Sequence, residues 1–285
     1  MCGLFGFVGN HPKKTEILRS LCIQNSERGE HSAGIAHILS NTNFRVFKKA
    51  VHPIKFANLP EFGEMTKKGI CHIGHTRHAT IGEKTDENSH PFTFGKTVGT
   101  HNGMVANLQE VKQHTKQDFE VDSQYLIWLL NEKNSLEPAR GGLTVAFYQK
   151  GAEEWLNIMR FGNQVHLVGD STCEWLAYSS VMSHLALAFG MANADFSHQY
   201  ELKDGEHVKV YRKDRIIKLS RTQTNYKHER DYRTTTYAPN YPTVGHAQQQ
   251  ACFGHRSVVP FQGASATPSA SLYDTDEYEC HLHNS

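Results

Sequence analysis

Met1-Cys2-Gly3-Leu4-Phe5-Gly6-Phe7-Val8-Gly9 opens the chain, and two readings follow from it. Gly3 to Gly9 is a short apolar run closed by glycine, which predicts a buried strand. Just ahead of it stands a cysteine directly behind the initiator methionine. Removal of Met1 would leave Cys2 with a thiol and a free α-amine on one residue, a nucleophile and a base together. A thiol is the more nucleophilic of the side chains that form covalent intermediates, and an α-amine titrates near ~7.7–8. Cys2 is small enough for a methionine aminopeptidase, so no propeptide is needed to expose it. Taken alone, a chance cysteine at position 2 is the simpler account; the rest of the chain reverses that balance.

Outward from the opening strand, Lys14 to Asn25 places Ile17, Leu18, Leu21 and Cys22 at helical spacing. Gly34–Leu39 and Phe44–Phe47 predict paired strands around the polar turn Ser40-Asn41-Thr42-Asn43. Gly69–Thr76 and Lys96–Thr100 predict two more. Asn107–Lys116 and Asp122–Asn131 predict helices, with Asp122 as the N-cap of the second. Short strands follow at Leu143–Tyr148, Trp155–Met159, Val165–Leu167 and Trp175–Tyr178, then a helix over Ser180–Phe189. Glu206–Tyr211 and Arg215–Leu219 close as a hairpin turning at Lys213-Asp214. Many short strands, helical layers and no regular β-α alternation predict an α+β fold with stacked sheets.

The 285 residues suit one large domain with an appendage, and 38% hydrophobic content is enough for a core. A formal net charge of +1 gives no electrostatic case for nucleic acid or a membrane surface. No apolar run approaches the ~20 residues of a spanning helix, and the N-terminus lacks a signal-peptide pattern. The six cysteines, Cys2, Cys22, Cys71, Cys173, Cys252 and Cys280, are scattered without a C-x-x-C pair. That spacing predicts neither a metal site nor a disulfide framework, and fits a reducing, cytoplasmic setting. After about Leu219 the composition turns polar, with Gln248-Gln249-Gln250 and a small-residue stretch over 263–271. Residues 221–285 are therefore expected to be a disordered or docking tail, the alternative being an extension packed on the domain at 2–220.

Four further segments carry residue types suited to chemistry. Arg28-Gly29-Glu30-His31-Ser32-Ala33-Gly34 is a glycine turn between helix and strand, where backbone can approach another segment closely; a plain helix end explains it as well. Gly74-His75-Thr76-Arg77-His78-Ala79-Thr80-Ile81-Gly82 ends a strand with Arg77, whose planar fork suits a carboxylate, and Thr80, a hydroxyl donor. Ser89-His90-Pro91-Phe92 precedes His101-Asn102-Gly103. There the Asn102 amide and the Gly103 N–H can converge on one oxygen, as an oxyanion hole requires, although Asn-Gly is more often a turn. Val121-Asp122-Ser123-Gln124 offers Asp122 either as a helix cap or as the partner of a substrate ammonium.

Taken in order, Met-Cys-Gly-Leu-Phe-Gly, Arg-Gly-x-x-Ser-Ala-Gly-Ile-Ala, Gly-His-Thr-Arg-x-Ala-Thr-x-Gly, Ser-His-Pro, His-Asn-Gly and a following Asp-Ser resemble the class II glutamine amidotransferase domain. This is an N-terminal-nucleophile (Ntn) hydrolase, and the pattern is most similar to the glutaminase half of glucosamine-6-phosphate synthase. The resemblance spans roughly residues 2 to 215. It implies a four-layer αββα sandwich of two stacked, mainly antiparallel sheets, needing no cofactor or metal. It implies Cys2 as nucleophile with its α-amine as base, and Asn102 and Gly103 as the oxyanion hole. Arg28 and Gly29 would shape the loop around Cys2. Arg77 and Thr80 would bind the α-carboxylate of L-glutamine and Asp122 its α-ammonium. The sequence departs from the pattern at His78, where the synthase-like domain has Trp, at Ile81, where it has His, and at Glu30-His31, a pair that usually ends in Asp. His78 stays in the expected substrate-binding set.

The implied reaction is glutamine amide hydrolysis. The polar remainder holds no visible ammonia-using domain, so the expectation is a free-standing glutaminase subunit with a separate ammonia-accepting enzyme. The competing readings are a cysteine amide hydrolase of the same fold acting on another amide, and a non-catalytic glutamine-binding or interaction protein.

Overall fold

The computed structural model describes residues 1–224 and the two-residue strand Glu277–Tyr278; the tail expected from residue 221 lies almost wholly outside the described residues. One sheet runs in spatial order β11 (His198–Glu201), β9 (His166–Gly169), β10 (Trp175–Ser179), β1 (Gly3–Gly9), β4 (Cys71–Arg77), β2 (Ser32–Ser40) and β3 (Asn43–Lys49). The second runs β14 (Glu277–Tyr278), β13 (Ile216–Gln223), β12 (Glu206–Lys213), β8 (Glu154–Met159), β7 (Gly141–Gln149), β6 (Thr97–Val105) and β5 (Phe92–Phe94). Neighbouring strands are antiparallel in both.

The alternation of side chains along β1 explains the layering. Leu4 and Val8 point into the core between the sheets with Ala36, Ile38, Ile73, Val98, Ala146 and Tyr148. Phe5 and Phe7 point the other way, into a second core. That core is built with α1 (Lys14–Gln24), α2 (Pro53–Ala57), α3 (Pro60–Lys67) and α6 (Met182–Met191). A third core packs α4 (Leu108–Thr115) and α5 (Asp122–Lys133) on the outer face of the second sheet through Val111, Tyr125, Leu126 and Leu129. The result is helix, sheet, sheet, helix, as expected. A strand buried on both faces reads as a continuous apolar run. Burial of each of its large side chains contributes about 1.5–3 kcal/mol.

The structure differs from the sequence reading in details that have physical causes. The closing hairpin turns at Asp214-Arg215, both at positive φ (51° and 72°), one residue later than expected. That is the two-residue geometry whose twist matches paired strands. Strands β5 and β11 and helices α2 and α3 are too short to leave a periodic signal. Asp122 is not an N-cap. Val121 holds that position, its N–H donating to Gln124 Oε1 at 2.9 Å, which frees the Asp122 carboxylate for other partners. Cys2, Cys22 and Cys71 are free thiols, whereas Cys173 is disulfide-bonded, a bond that the scattered cysteine spacing did not suggest. Among the described residues no helix is long and apolar enough to cross a membrane.

Candidate active site

The site lies at one end of the space between the sheets. Cys2 sits half-buried at the mouth of β1. Its sulfur faces the segment that leaves β4: the His78 N–H lies 3.4 Å from Sγ, and the His78 carbonyl 3.7 Å from it. Arg28 Nε donates to the Cys2 carbonyl at 2.8 Å, which fixes the residue's backbone. Gly29 lies so close to the end of β4 that a Cβ there would stand 2.5 Å from the Thr76 carbonyl oxygen. The glycine turn thus makes the close backbone approach that its sequence suggested.

Asn102 lies on β6, on the face turned toward the first sheet. It is buried, and its Nδ2 donates to Ser180 Oγ at 3.4 Å. Ser180 Oγ also accepts the Leu4 N–H at 2.9 Å, tying this amide to the strand that begins at the nucleophile. The Asn102 carbonyl accepts from Asn163 Nδ2 at 3.1 Å. Gly103 adopts φ +148°, and a Cβ there would fall 1.6 Å from the Gly142 carbonyl oxygen, so no other residue fits this backbone.

His101 points to the opposite face of β6. Its Nε2 donates to the Gly142 carbonyl at 2.9 Å, which leaves Nδ1 to accept the Ser123 hydroxyl at 2.8 Å. Asp122 takes the Val105 N–H on Oδ2 at 3.0 Å and the Ser123 N–H on Oδ1 at 2.8 Å. These bonds anchor the start of α5 to the end of β6.

Arg77 is buried, and its fork is turned onto the following loop. It donates from Nη1 to the Glu83 carbonyl at 2.9 Å and from Nη2 to the Ile81 carbonyl at 2.5 Å. Glu120 Oε1 accepts the Glu83 N–H at 2.6 Å, so the loop rests on the start of α5. Thr80, by contrast, is exposed at the loop's tip.

Two departures from the family pattern meet each other here. The His31 and His78 rings stack with centroids 4.6 Å apart. The Ala79 N–H donates to His31 Nδ1 at 2.9 Å, so the neutral ring carries its proton on Nε2, which faces Glu30 3.7 Å away. The ligating atoms of Glu30, His31 and His78 lie within 4.8 Å of one another. His31 Nδ1 is thereby engaged as an acceptor, while Nε2 faces Glu30 from beyond hydrogen-bonding distance.

Burial pushes the Cys2 thiol above its ordinary pKa. The His78 N–H, the chain's α-ammonium and Arg77 pull it down, and Asp122 pushes it up. Arg77 and Asp122 are thus close enough to bear on the sulfur. The net direction keeps the thiol protonated at neutral pH, so attack requires a base. Sequence reasoning gave no role to Ser180, Ser123, Asn163 or Glu120. Each acts through a contact far along the chain; of these four only Ser123, like its partner His101, lay within a quoted motif.

No family model matches the chain. Curated relatives do. Glutamine–fructose-6-phosphate aminotransferase (isomerizing) of Bacillus subtilis strain 168 is 35% identical over 125 residues, covering 43% of this chain and 20% of the relative. The same enzyme of Gluconobacter oxydans strain 621H is 32% identical over 163 residues, covering 53% and 26%. The chain carries a class II glutamine amidotransferase domain. It spans about a fifth to a quarter of the length of these relatives. The fold agrees. The solved structure of an allosteric regulatory enzyme of purine biosynthesis superposes with TM-score 0.60 at 23% identity, over 77% of this chain and 49% of that one. Glutamine phosphoribosylpyrophosphate amidotransferase from B. subtilis, complexed with ADP and GMP, superposes with TM-score 0.58 at 22% identity and the same coverage. The four-layer sandwich of this amidotransferase domain is that of the Ntn hydrolases.

Proposed function

We propose that this domain hydrolyses the side-chain amide of L-glutamine and that Cys2, freed of Met1, is both nucleophile and base. One observation carries the reading. Among the described residues, only backbone groups of His78 stand within hydrogen-bonding distance of the Cys2 sulfur, and burial holds its thiol protonated. The remaining base is the residue's own α-amine. Met1 is 74% exposed, which suits its removal.

The thiol gives its proton to the amine, directly or through one water, and sulfur attacks the carboxamide carbon. Asn102 Nδ2 and the Gly103 N–H receive the oxyanion, each such donor contributing roughly 3–4 kcal/mol in comparable sites. The ammonium returns its proton to the departing nitrogen, ammonia leaves, and water hydrolyses the γ-glutamyl thioester to glutamate. Arg77 and Asp122, opposite charges that both bear on the sulfur, select the carboxylate and ammonium of an amino acid, and so favour glutamine over a simple amide. Arg28 and Gly29 hold the wall around Cys2, while Thr80 and His78 belong to the loop that meets the substrate. The relatives are aminotransferases of greater length than the part this chain matches, and an ammonia-accepting enzyme is the partner we assign.

The test is ammonia release by purified protein from glutamine, from N-acetylglutamine, which lacks the ammonium, and from a simple aliphatic amide. Turnover of glutamine alone is expected. Equal turnover of all three would favour an amide hydrolase with another substrate. No turnover of any, with glutamine still bound, would favour a binding role.

A further inference from the structure

Ser179 and Ser180 stand where β10 ends, and successive residues of a strand face opposite ways. Ser179 pairs with Phe5, whose side chain faces the helices, and Ser179 Oγ accepts from Asn25 Nδ2 at 3.1 Å on that side. Ser180 therefore faces the other sheet. Its N–H donates to the Leu4 carbonyl at 2.9 Å and its Oγ accepts the Leu4 N–H at 2.9 Å, so both backbone groups of Leu4 end on this residue. The same Oγ accepts one Nδ2 proton of Asn102, a residue of the second sheet. Ser180 is buried, which excludes water as a substitute partner.

We propose that Ser180 is a positioning residue that aims Asn102 at the oxyanion while registering it against the strand that begins at Cys2. The inference rests on the glutaminase reading. An amide nitrogen has two protons; Ser180 takes one, which fixes the side-chain torsion and leaves the second for the developing negative charge. Nucleophile and oxyanion donor come from different sheets, and this hydroxyl touches the strand of one and the side chain of the other. Without it the amide is free to rotate, and geometry errors of this kind cost rate, not affinity.

The test compares Ser180→Ala, Ser180→Thr, Asn102→Ala and the double variant S180A/N102A in the full chain. Ser180→Ala is expected to lower kcat for glutamine by roughly 10- to 100-fold with KM nearly unchanged, less than the ~10²–10³-fold loss from removing the donor itself. Ser180→Thr, which keeps the hydroxyl, should recover most of it. In the Asn102→Ala background Ser180→Ala should cost no further kcat. Full kcat in a folded Ser180→Ala protein overturns the proposal, as does an undiminished second loss in the double variant. If Ser180→Ala does not fold, Ser180→Cys keeps the volume with a poor acceptor and takes its place. A second readout does not need turnover. By NMR the Asn102 side-chain amide protons should exchange slowly in wild type and faster in Ser180→Ala; unchanged exchange overturns the proposal. A wild type that releases no glutamate but shows this exchange difference would sink the glutaminase reading alone.

Discussion

The His78 N–H points at the Cys2 sulfur from 3.4 Å, so the loop that follows β4 donates to the nucleophile through its backbone. The side chain of residue 78 stacks on His31 instead. The contact to sulfur therefore survives replacement of the ring that the family pattern has at this place, because any residue supplies an N–H. It also couples the thiol to the loop that Arg77 clamps, so changes at Arg77 reach Cys2 even without substrate.

The protein isolated from cells is expected to begin at Cys2. Intact-mass measurement checks this, and an active enzyme that retains Met1 would remove the proposed base. Cys2→Ser should lose nearly all glutamate release, because an alkoxide is far harder to form than a thiolate near neutral pH. Its fold should persist, since Cys2 lies ahead of the β1 ladder.

Arg77→Lys is expected to raise KM for glutamine at least tenfold and to loosen residues 81–83, because a lysine cannot reproduce the fork that spans the Ile81 and Glu83 carbonyls. Asp122→Asn should also raise KM, and should lower the melting temperature, since the amide can satisfy the Val105 and Ser123 N–H groups only in part. Glutamine saturation at the wild-type concentration in both variants would exclude the proposed substrate contacts.

Gly103→Ala forces a methyl to within 1.6 Å of the Gly142 carbonyl oxygen at a φ that L-residues avoid. The expected cost is on the order of 3 kcal/mol or more, as strain and overpacking add. Chemical denaturation measures it. A wild-type midpoint would mean that β6 and β7 separate at this point without penalty.

How much of this was legible beforehand depends on distance along the chain. The β1 run and the helical spacing of Ile17, Leu18 and Leu21 are local patterns and lie where the sequence suggested, whereas Asn102-Gly103, read as following a strand, sits inside β6, paired with Thr144 and Leu143. Asp122 looked like a cap because Asp before an amphipathic run usually is one; its true partner, the Val105 N–H, is brought close only by the packing of α5 on β6. Arg77 was read as a partner for a carboxylate; that its fork also holds the Ile81 and Glu83 carbonyls is a contact no local pattern announces. Ser180 carried no signal at all, since a serine at a strand end is ordinary until the second sheet is placed over it.

A chain ending at Thr224 loses β14 from the edge of the second sheet, yet is expected to keep its fold and its glutamate release, because β13 remains paired with β12 along its whole length. The stop cannot come earlier: β13 continues to Gln223, and Thr224 donates from its N–H to the Gly205 carbonyl at 2.9 Å, so ending near 221 would cut a paired strand. Circular dichroism and the glutaminase assay on both truncations decide the point. Loss of activity in the longer one with its fold intact would give residues 225–285 a part in the site.

The protein is expected to lose stability steeply as pH falls below about 6.5, ahead of any carboxylate effect. His72 and His75 are buried as neutral rings, and desolvation brings each down to about 3; His90 is pushed down by burial and by the nearby His75, and His101 by burial against the opposing pull of Asp122. A folded-state pKa below the unfolded 6.5 means that the unfolded chain binds the proton first. The stabilisation is complete above pH 6.5 and is withdrawn progressively as pH falls toward the folded values. The slope reaches about 1.4 kcal/mol per pH unit per histidine once the unfolded ring is protonated, so His72 and His75 alone withdraw roughly 3 kcal/mol between pH 6.5 and 5, a large part of a typical domain's 5–15 kcal/mol. His75→Gln keeps a donor in place of the Nε2–H that meets the His101 carbonyl at 3.0 Å and removes one titrating site. Melting temperatures of wild type and this variant from pH 7.5 to 4.5 should converge as pH falls, the variant having the shallower slope. Parallel curves would show that the ring at position 75 is not held neutral by the fold.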